Sequence, residues 1–391
     1  MAYKARLQEF SDTLDAEVID LKKLRKLVFN GCPDSGYRSK CWKLLLSYLP
    51  RERKHWKTEL EKQRNTYMQF IDEMIIKPGR EATEHGGLAD VTLDDHPLNP
   101  NPDSEWRAYF KDNEMLLQID KDCRRLCPDF NFFQCASKHP CSRLCGKNSF
   151  ETLRKRVEQT VLQSESVSRN RLGITNMSAV KRKSSSEFVP LPDGQEAHWE
   201  VCERILFVFA KLNTGLGYIQ GMNEILGPIY YTFATDPDTE CEEFAEADSF
   251  FCFTTLMSEI RDNFIKTLDD SQCGIGGLMD QLMSQLKEQD PTLWHKLQEQ
   301  DLKPQFYAFR WLTLMLSQEF PLPDVIRIWD SLFSQEKCST FLIKVACAML
   351  LLLKDDLLRG DFPSNMKLVQ NFPYSTFDVQ KVLKKAVEIS R

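Results

Sequence analysis

Hydrophobic residues recur every three or four positions along most of the chain, with charged residues between them. This spacing places the hydrophobic side chains on one face of an α-helix. No stretch alternates between hydrophobic and polar residues cleanly enough to predict a β-strand. The sequence therefore predicts an all-α fold. The predicted helices cover residues 3–28, 40–76, 104–127, 197–213, 245–267, 276–299, 305–318, 322–334, 339–356 and a final helix capped by Ser375.

The longest hydrophobic run, from Phe341 to Leu353, predicts a buried core helix and not a membrane span. It has 13 residues and contains Lys344, whereas a helix that crosses a bilayer needs roughly 20 hydrophobic residues. The N-terminal stretch MAYKARLQEFSDTLD has no hydrophobic signal core, and the 13 cysteines show no regular framework. We therefore expect reduced thiols and a cytoplasmic protein.

The composition changes between Gln134 and Ser185. Eleven Lys or Arg residues face three Glu residues there, a local charge of +8 in a chain whose net charge is −6. Hydrophobic periodicity is poor, which predicts a flexible insert at about 134–190. The run KRKSSS at 181–186 is open to three interpretations, namely a phosphorylation site, a contact with acidic lipid, or a solvated loop. The negative net charge argues against nucleic acid as a partner.

The segment IDKDCRRLCPD, residues 119–129, pairs opposite charges near a predicted helix end. Asp122 and Arg125 are three positions apart, so their side chains are neighbours on the helix surface. Pro128 disfavours helical geometry in the residue before it, which predicts that the helix stops near Cys127. Two interpretations stay open from these residues alone. One is a solvated arginine at a helix C-terminus, and the other is a permanently charged guanidinium that a carboxylate aims at a phosphate.

Glycines interrupt the helical pattern in GLGYIQGMNE, residues 215–224. Gly215 and Gly217 allow the chain to leave the preceding helix through flexible or left-handed backbone. Gly221 leaves room for another backbone or a phosphate to approach Gln220. Because a carboxamide both donates and accepts hydrogen bonds, Gln220 can accept from a water molecule while it donates to a phosphate oxygen. The alternative is a buried amide that binds loop carbonyls.

Arg38 and Trp42 are candidates for a contact with a partner. They lie in GCPDSGYRSKCWKLLL, residues 31–46, four positions apart on one helical face. The simplest interpretation is that the stem of the arginine packs on the indole. Contact of these residues with a partner protein is the alternative.

Cysteine and histidine residues cluster at the start of the basic segment. Cys135, His139, Cys141 and Cys145 fall within eleven residues. They lack the paired Cys-x-x-Cys spacing of structural zinc sites, so we expect no metal site here. The chain also has no GxxxxGK[ST] loop, no HExxH and no GxSxG motif. If Arg125 and Gln220 together complete a phosphoryl-transfer site, the nucleotide must come from a partner.

The segments described above resemble the TBC (Tre-2/Bub2/Cdc16) domain of Rab GTPase-activating proteins. IDKDCRR resembles the IxxDxxR motif of that family, and GYIQGM resembles its YxQ motif. GCPDSGYRSKCWKLLL is similar to the early RxxxW region, and FRWLTLMLSQEFPLPDVIRIWDSLF at 309–333 is similar to the late helix pair. The segments follow the family's order, and the resemblance covers about residues 31–336.

The resemblance implies a two-lobed, all-α TBC domain with a long flexible insert. It implies that Arg125 is an arginine finger and Gln220 a glutamine finger, both supplied to GTP that a Rab-family GTPase holds. Asp122 would position Arg125, and Tyr218 and Gly221 would shape the loop of Gln220. The implied organisation is an N-terminal helical segment at 1–30, the TBC domain at 31–336 with its insert at about 134–190, and C-terminal helices at 337–391 packed on the domain.

The same resemblance implies an activator of GTP hydrolysis in vesicle trafficking. Such a protein has no nucleotide-hydrolysing site and no cofactor of its own, because GTP and Mg²⁺ belong to the partner GTPase. It would be recruited transiently from the cytoplasm to endomembranes or the plasma membrane through the prenylated partner. The alternative is a non-catalytic helical scaffold or effector that binds an active GTPase, although such a binder needs neither finger.

Overall fold

The computed structural model describes residues 2–33, 35–75, 105–145, 153–158, 160, 191–192, 194–265, 267 and 274–389. Within these ranges the protein is helical, and extended backbone pairs only in two isolated bridges, Val18 with Glu52 and Ala136 with Ala197. The predicted all-α fold is confirmed. The α-helices are α1 (Ala2–Leu14), α2 (Leu21–Phe29), α3 (Ser35–Leu45), α4 (Trp56–Met74), α5 (Glu105–Arg124), α6 (Ser142–Cys145), α7 (His198–Leu212), α8 (Met222–Ala234), α9 (Thr239–Glu243), α10 (Ala245–Ile260), α11 (Ile275–Gln289), α12 (Pro291–Glu299), α13 (Ala308–Thr313), α14 (Leu322–Phe333), α15 (Cys338–Leu352), α16 (Lys354–Arg359), α17 (Phe362–Gln370) and α18 (Val379–Ile389).

Several long helices predicted from periodicity are interrupted in the structure. The predicted helix 3–28 is two helices, because the Asp20 carboxylate accepts from the N–H groups of Lys22 and Lys23 and starts α2. The predicted helix 276–299 breaks at Asp290, which caps α12, and Pro291 is the first residue of that helix. The ranges 40–76, 305–318 and 339–356 are likewise shorter or divided. Periodicity alone misses such breaks, because the hydrophobic spacing continues across a cap.

The chain divides into two compact units, and unit 1 consists of Met1–Arg64 and Glu224–Arg391. Its core is α15, which packs against α11, α13, α14 and α18. Between Phe341 and Leu350 every side chain except that of Lys344 is buried. The prediction of a core helix at this hydrophobic run is therefore confirmed. None of the helices in the described ranges is long and hydrophobic enough to cross a bilayer.

Arg38 and Trp42 share a buried acceptor in unit 1. The Trp42 indole N–H donates to Oδ1 of Asp330 at 2.8 Å, and Arg38 Nε donates to the same oxygen at 3.1 Å. Trp42 and Asp330 are fully buried, whereas the Arg38 side chain is 19% exposed. Trp42 is thus buried within the chain itself, whereas Arg38 is partly exposed, and a partner contact at these residues stays a prediction. The contact that joins the two side chains here is the shared Asp330 carboxylate.

A second buried carboxylate joins three polar side chains of unit 1. Asp248 accepts hydrogen bonds from Lys43 Nζ at 2.6 Å, from the Tyr48 hydroxyl at 2.7 Å and from Arg64 Nε at 3.1 Å. Burial raises the pKa of the Asp248 carboxyl, but the charges of Lys43 and Arg64 outweigh burial and lower it below its usual value. Asp248 is therefore a carboxylate that is charged at neutral pH and anchors α3 and Arg64 of α4.

Unit 2, Asn65–Asn223, is built around the packing of α5 against α7. All residues of α7 from His198 to Ala210 are buried. The first residues of the predicted insert belong to this packing, since the His198 N–H donates to the Cys135 carbonyl at 3.1 Å and Ala136 pairs with Ala197. The start of the insert at Gln134 was therefore predicted too early. Most of the remaining insert, residues 161–190, lies outside the described residues.

Candidate functional site

The C-terminal end of α5 presents Arg125. The helix ends at Arg124, three residues before the predicted stop at Cys127. Cys127 adopts a left-handed backbone conformation with φ of 45°, which turns the chain away from the helix axis. Cys123 and Leu126 are fully buried on either side, whereas the Arg125 side chain is 60% exposed. The buried neighbours hold the backbone in place while the guanidinium reaches into solvent.

Asp122 contacts both halves of the candidate site. Its carboxylate oxygen Oδ1 accepts from Arg125 Nη2, and its other oxygen Oδ2 accepts from the Tyr218 hydroxyl at 2.7 Å. The Asp122 side chain is only 5% exposed. Tyr218 is also buried, and it lies two residues before Gln220. One carboxylate thus holds the arginine and the start of the glutamine loop together.

The loop of Gln220 depends on two glycines with left-handed backbone. Gly217 has φ of 66° and Gly221 has φ of 105°. A Cβ added to Gly217 would meet no atom within 4 Å, so glycine is favoured there by its backbone conformation and not by lack of space. The Met222 N–H closes the turn by donating to the Ile219 carbonyl at 3.1 Å. Gln220 is exposed at this turn, directly before α8.

Asn223 ties the other end of the loop to the same aspartate. Its Nδ2 donates to the backbone carbonyl of Asp122 at 3.2 Å, and its Oδ1 lies 3.4 Å from the Tyr218 hydroxyl. Gln220 is therefore held on both sides by residues that contact Asp122. Asn223 was not predicted as a site residue, although its place three residues after Gln220 at the start of a helix is visible in the sequence.

Arg124 and Arg125 are adjacent but have different environments. Arg124 Nε donates to both carboxylate oxygens of Asp120 at 2.9 Å, and its guanidinium lies 4.6 Å from the ring centroid of Trp199. Burial alone would lower the pKa of Arg124, but its hydrogen bonds to Asp120 raise that pKa above the usual value. Arg124 is thus engaged with its own unit, and Arg125 is the more exposed of the two cations.

The arrangement links Arg125 to the loop of Gln220 through the buried Asp122. The exposed guanidinium of Arg125 can donate several hydrogen bonds to phosphate oxygens. The exposed carboxamide of Gln220 can donate to one oxygen and accept from another. Their supports Asp122, Tyr218 and Asn223 are buried. Such a site offers charge and hydrogen bonds to a phosphate that another molecule supplies.

The structure describes part of the cysteine and histidine cluster. Cys135 is exposed and Cys141 is buried, and the side chain of Cys145 lies outside the described residues. Among the side chains that the structure describes, no group of three or more His, Cys, Asp or Glu residues could hold an ion. The KRKSSS run at 181–186 also lies outside the described residues.

The sequence is similar to one protein-family model and to known proteins. The family model of the Rab-GTPase-TBC domain matches residues 152–358, a range that contains Gln220 and begins after Arg125. TBC1 domain family member 13 of Homo sapiens is 59% identical over 394 residues, which cover 99% of this chain and 98% of the human protein. A TBC domain-containing protein of Schizosaccharomyces pombe is 37% identical, with 100% of this chain and 73% of that protein covered.

The fold also matches a solved structure, the crystal structure of the Ypt/Rab-GAP domain of Gyp1p. The TM-score is 0.67 at 22% sequence identity, and the match covers 99% of this chain and 98% of the other. At this identity the likeness concerns the fold alone. The family model and the two relatives carry the assignment, and they cover nearly all of the sequence. The chain belongs to the Rab-GTPase-TBC domain family.

Proposed function

We propose that this protein is a GTPase-activating protein for a Rab-family small GTPase, with Arg125 and Gln220 supplied in trans to the bound GTP. The observation that carries the proposal is the shared contact of Asp122 with Arg125 and Tyr218. This contact links the exposed Arg125 to the segment that carries the exposed Gln220, although the two residues are distant in sequence. Membership of the Rab-GTPase-TBC domain family supports the choice of partner.

In this mechanism the two side chains have separate tasks. Negative charge spreads over the transferring phosphoryl group, and the Arg125 guanidinium neutralises it with oriented N–H donors. The Gln220 carboxamide orients the attacking water. Asp122 keeps the guanidinium in a reactive position before the partner arrives, so that less conformational freedom is lost on docking. GTP and Mg²⁺ belong to the GTPase, and the chain needs no cofactor of its own.

The same proposal covers the cellular setting. A protein of this kind acts in vesicle trafficking, moving from the cytoplasm to endomembranes or the plasma membrane. The prenylated GTPase is the simplest source of membrane contact, because lipidation of the partner brings the complex to the bilayer. The second candidate function is a non-catalytic scaffold or effector. The paired exposure of Arg125 and Gln220 favours the activator, since a binder has no need of either side chain.

The test is phosphate release from a panel of purified Rab proteins loaded with GTP. The wild-type chain is expected to accelerate hydrolysis by at least one of them. Arg125→Ala is expected to lose about 10³-fold or more of the stimulated rate. Gln220→Ala is expected to lose most of it. Arg125→Lys should also fail, because a point charge does not reproduce the planar fork of donors.

Two variants serve as matched controls. Arg359, in unit 1, pairs with Asp356 three residues earlier at 2.8 Å, and its side chain is 75% exposed. It therefore has the same spacing to its carboxylate partner as Arg125 has to Asp122. Gln8 is an exposed glutamine of α1. Arg359→Ala and Gln8→Ala should keep the wild-type rate. Acceleration that survives both Arg125→Ala and Gln220→Ala would refute the two-finger mechanism. Binding of GTP-loaded Rab without acceleration would support the scaffold.

A further inference from the structure

The last backbone carbonyl of α5 is capped by a side chain from the following segment. Gln134 Nε2 donates to the carbonyl oxygen of Arg124 at 3.0 Å. Gln134 is half-buried and ends a short 3₁₀-helix, Asn131–Gln134, that packs against α7. The amide therefore reaches the end of α5 from a part of unit 2 that is itself held in place.

The capped carbonyl belongs to the peptide group that leads into Arg125. A peptide unit is planar, so the orientation of the Arg124 C=O also sets the direction of the bond from the Arg125 nitrogen to its Cα. Carbonyls at a helix C-terminus have no partner within the helix. Without a donor from elsewhere, this peptide group can tilt, and the side chain of Arg125 would move with it.

The neighbouring contacts fix the remaining parts of this helix end. The side chain of Arg124 is held by Asp120 and by the face of Trp199. Cys123 and Leu126 are buried in unit 2. Gln134 thus adds a restraint on the carbonyl side of the peptide group between the held Arg124 and the exposed Arg125.

We propose that Gln134 is a positioning residue for Arg125. It acts through the peptide group between Arg124 and Arg125 and does not itself touch the GTPase or the nucleotide. This inference rests on the proposed function, because it concerns the arginine that acts in that reaction. Loss of the amide donor is expected to lower the stimulated kcat, with little change in KM for the GTPase.

The test uses the full chain and the Rab protein that responds most strongly in the panel described above. Gln134→Met keeps the length of the side chain but removes the donor, and it should lower kcat about tenfold, the rate equivalent of one hydrogen bond. Gln134→Asn keeps the amide but withdraws it by one methylene, and it should show a smaller loss in the same direction. Circular dichroism and melting temperature establish that each variant is folded.

Gln300 provides the matched control. Its Nε2 donates to the carbonyl oxygen of Gly360 at 2.9 Å, just after α16 in unit 1, and its Oε1 also accepts from Asn365 Nδ2 at 2.8 Å. Gln300→Met should lower the melting temperature at least as much as Gln134→Met does, while kcat stays at the wild-type value. A loss of kcat that merely follows stability would appear in both variants and would overturn the inference.

A binding cycle shows whether Gln134 acts through Arg125. The probe is the same GTPase loaded with GDP and aluminium fluoride, which imitates the transferring phosphoryl group and should bind more tightly than the GDP form. Gln134→Met should weaken this complex when Arg125 is present and leave it unchanged when combined with Arg125→Ala. Equal weakening in both backgrounds would overturn the inference, because Gln134 would then act independently of Arg125.

The outcomes also separate this inference from the proposed function. If the wild-type chain accelerates no GTPase, the proposed function fails and the inference fails with it. If the wild-type chain is active and both Gln134 variants keep kcat within about twofold of it, the inference alone is wrong, because the expected loss is about tenfold.

Discussion

The hydroxyl of Tyr218 donates a 2.7 Å hydrogen bond to Oδ2 of Asp122, which lies 96 residues earlier in the chain. The other oxygen of the same carboxylate accepts from Arg125. The structure therefore couples the arginine and the glutamine loop through one buried group. Loss of either hydrogen bond should therefore alter the positions of both candidate catalytic residues.

Tyr218→Phe is expected to lower the stimulated rate although it leaves Arg125 and Gln220 intact. The phenylalanine ring fills the same space, but Asp122 loses one donor and the loop before Gln220 loses its tether. We expect a loss of about tenfold in kcat and of about 1 kcal/mol in the free energy of unfolding. Phosphate-release kinetics and urea unfolding measure the two quantities.

Tyr374→Phe is the control for the removal of a phenol, because Tyr374 is 49% exposed. It should change neither the rate nor the stability by a measurable amount. An unaltered kcat in Tyr218→Phe, together with reduced stability, would mean that the hydrogen bond to Asp122 serves the fold and not the site.

Asp330→Asn is expected to destabilise unit 1 strongly. The carboxylate accepts from the Cys32 N–H at 2.8 Å, from Arg38 and from the Trp42 indole. An asparagine at this position leaves Arg38 without its charge partner. The two N–H groups of its side-chain amide would also face N–H donors that now bind the carboxylate. Breaking one side of a buried ion pair costs about 3–5 kcal/mol. Urea unfolding followed by tryptophan fluorescence measures the loss.

The control for Asp330 is Asp356→Asn, since Asp356 is 58% exposed in its pair with Arg359. The free energy of unfolding of this variant should be within about 0.5 kcal/mol of the wild-type value. Trp42→Phe removes one donor to Asp330 and part of a fully buried ring, so it should be destabilised by at least about 1 kcal/mol with an unchanged KM for the GTPase. A raised KM in a variant of normal stability would support a role for Trp42 in partner binding.

Asp248→Asn should make the free energy of unfolding less dependent on pH in acid. The pKa of the folded carboxyl is below its usual value of 3.8, so the unfolded chain takes up this proton first as the pH falls. The stabilisation is thus complete above about pH 5 and disappears as the pH falls through the lowered pKa. Urea unfolding from pH 6 to pH 2 should show a smaller decline for the variant than for the wild type. If the free energy of unfolding falls equally in the variant and the wild type, Asp248 is not the cause of the loss of stability in acid.

Glu203→Gln is expected to stabilise the protein above neutral pH. The Glu203 side chain is buried in α7, and neither carboxyl oxygen has a hydrogen-bond partner among the described residues. Burial raises the pKa of this carboxyl, with the charge of Asp120 adding to the effect. The protonated carboxyl therefore favours the folded state. This contribution to the free energy of unfolding is fully present below the usual pKa of 4.5 and is lost as the pH rises through the raised pKa.

The melting temperature of Glu203→Gln should therefore exceed that of the wild type at pH 8, and the difference should shrink towards pH 4. The gain at pH 8 arises because the glutamine is neutral, whereas Glu203 must either carry a buried charge or take up a proton. Glu288→Gln, at an exposed position of α11, should show no such trend. A variant that is less stable than the wild type at pH 8 would mean that the Glu203 carboxylate has a stabilising partner.

Local rules predicted much of the candidate site. The three-residue spacing of Asp122 and Arg125 predicted an ion pair on one helix surface, and the two side chains do pair. The glycines around Gln220 predicted a break in the helix, and Gly217 and Gly221 have left-handed backbone there. The end of α5 was predicted three residues too late, because Cys127 takes up a conformation that non-glycine residues rarely adopt.

Long-range contacts escaped prediction. Arg38 and Trp42 were correctly placed on one helical face, but their acceptor Asp330 lies 288 residues beyond Trp42. Gln134 was assigned by composition to the start of a flexible insert, whereas its amide caps α5. Composition describes a segment as a whole, so it does not show which single residue of that segment packs on the fold.

The sequence by itself determined the helical fold, the buried run at α15 and the residue types that could act on a phosphate. These follow from spacing and side-chain chemistry, which are properties of neighbouring residues. Only the tertiary structure decided that Tyr218 and Asn223 contact Asp122, that Trp42 is buried beside Asp330 and that Gln134 caps the end of α5. Each of these depends on atoms brought together by the packing of distant helices, and no local pattern records that packing.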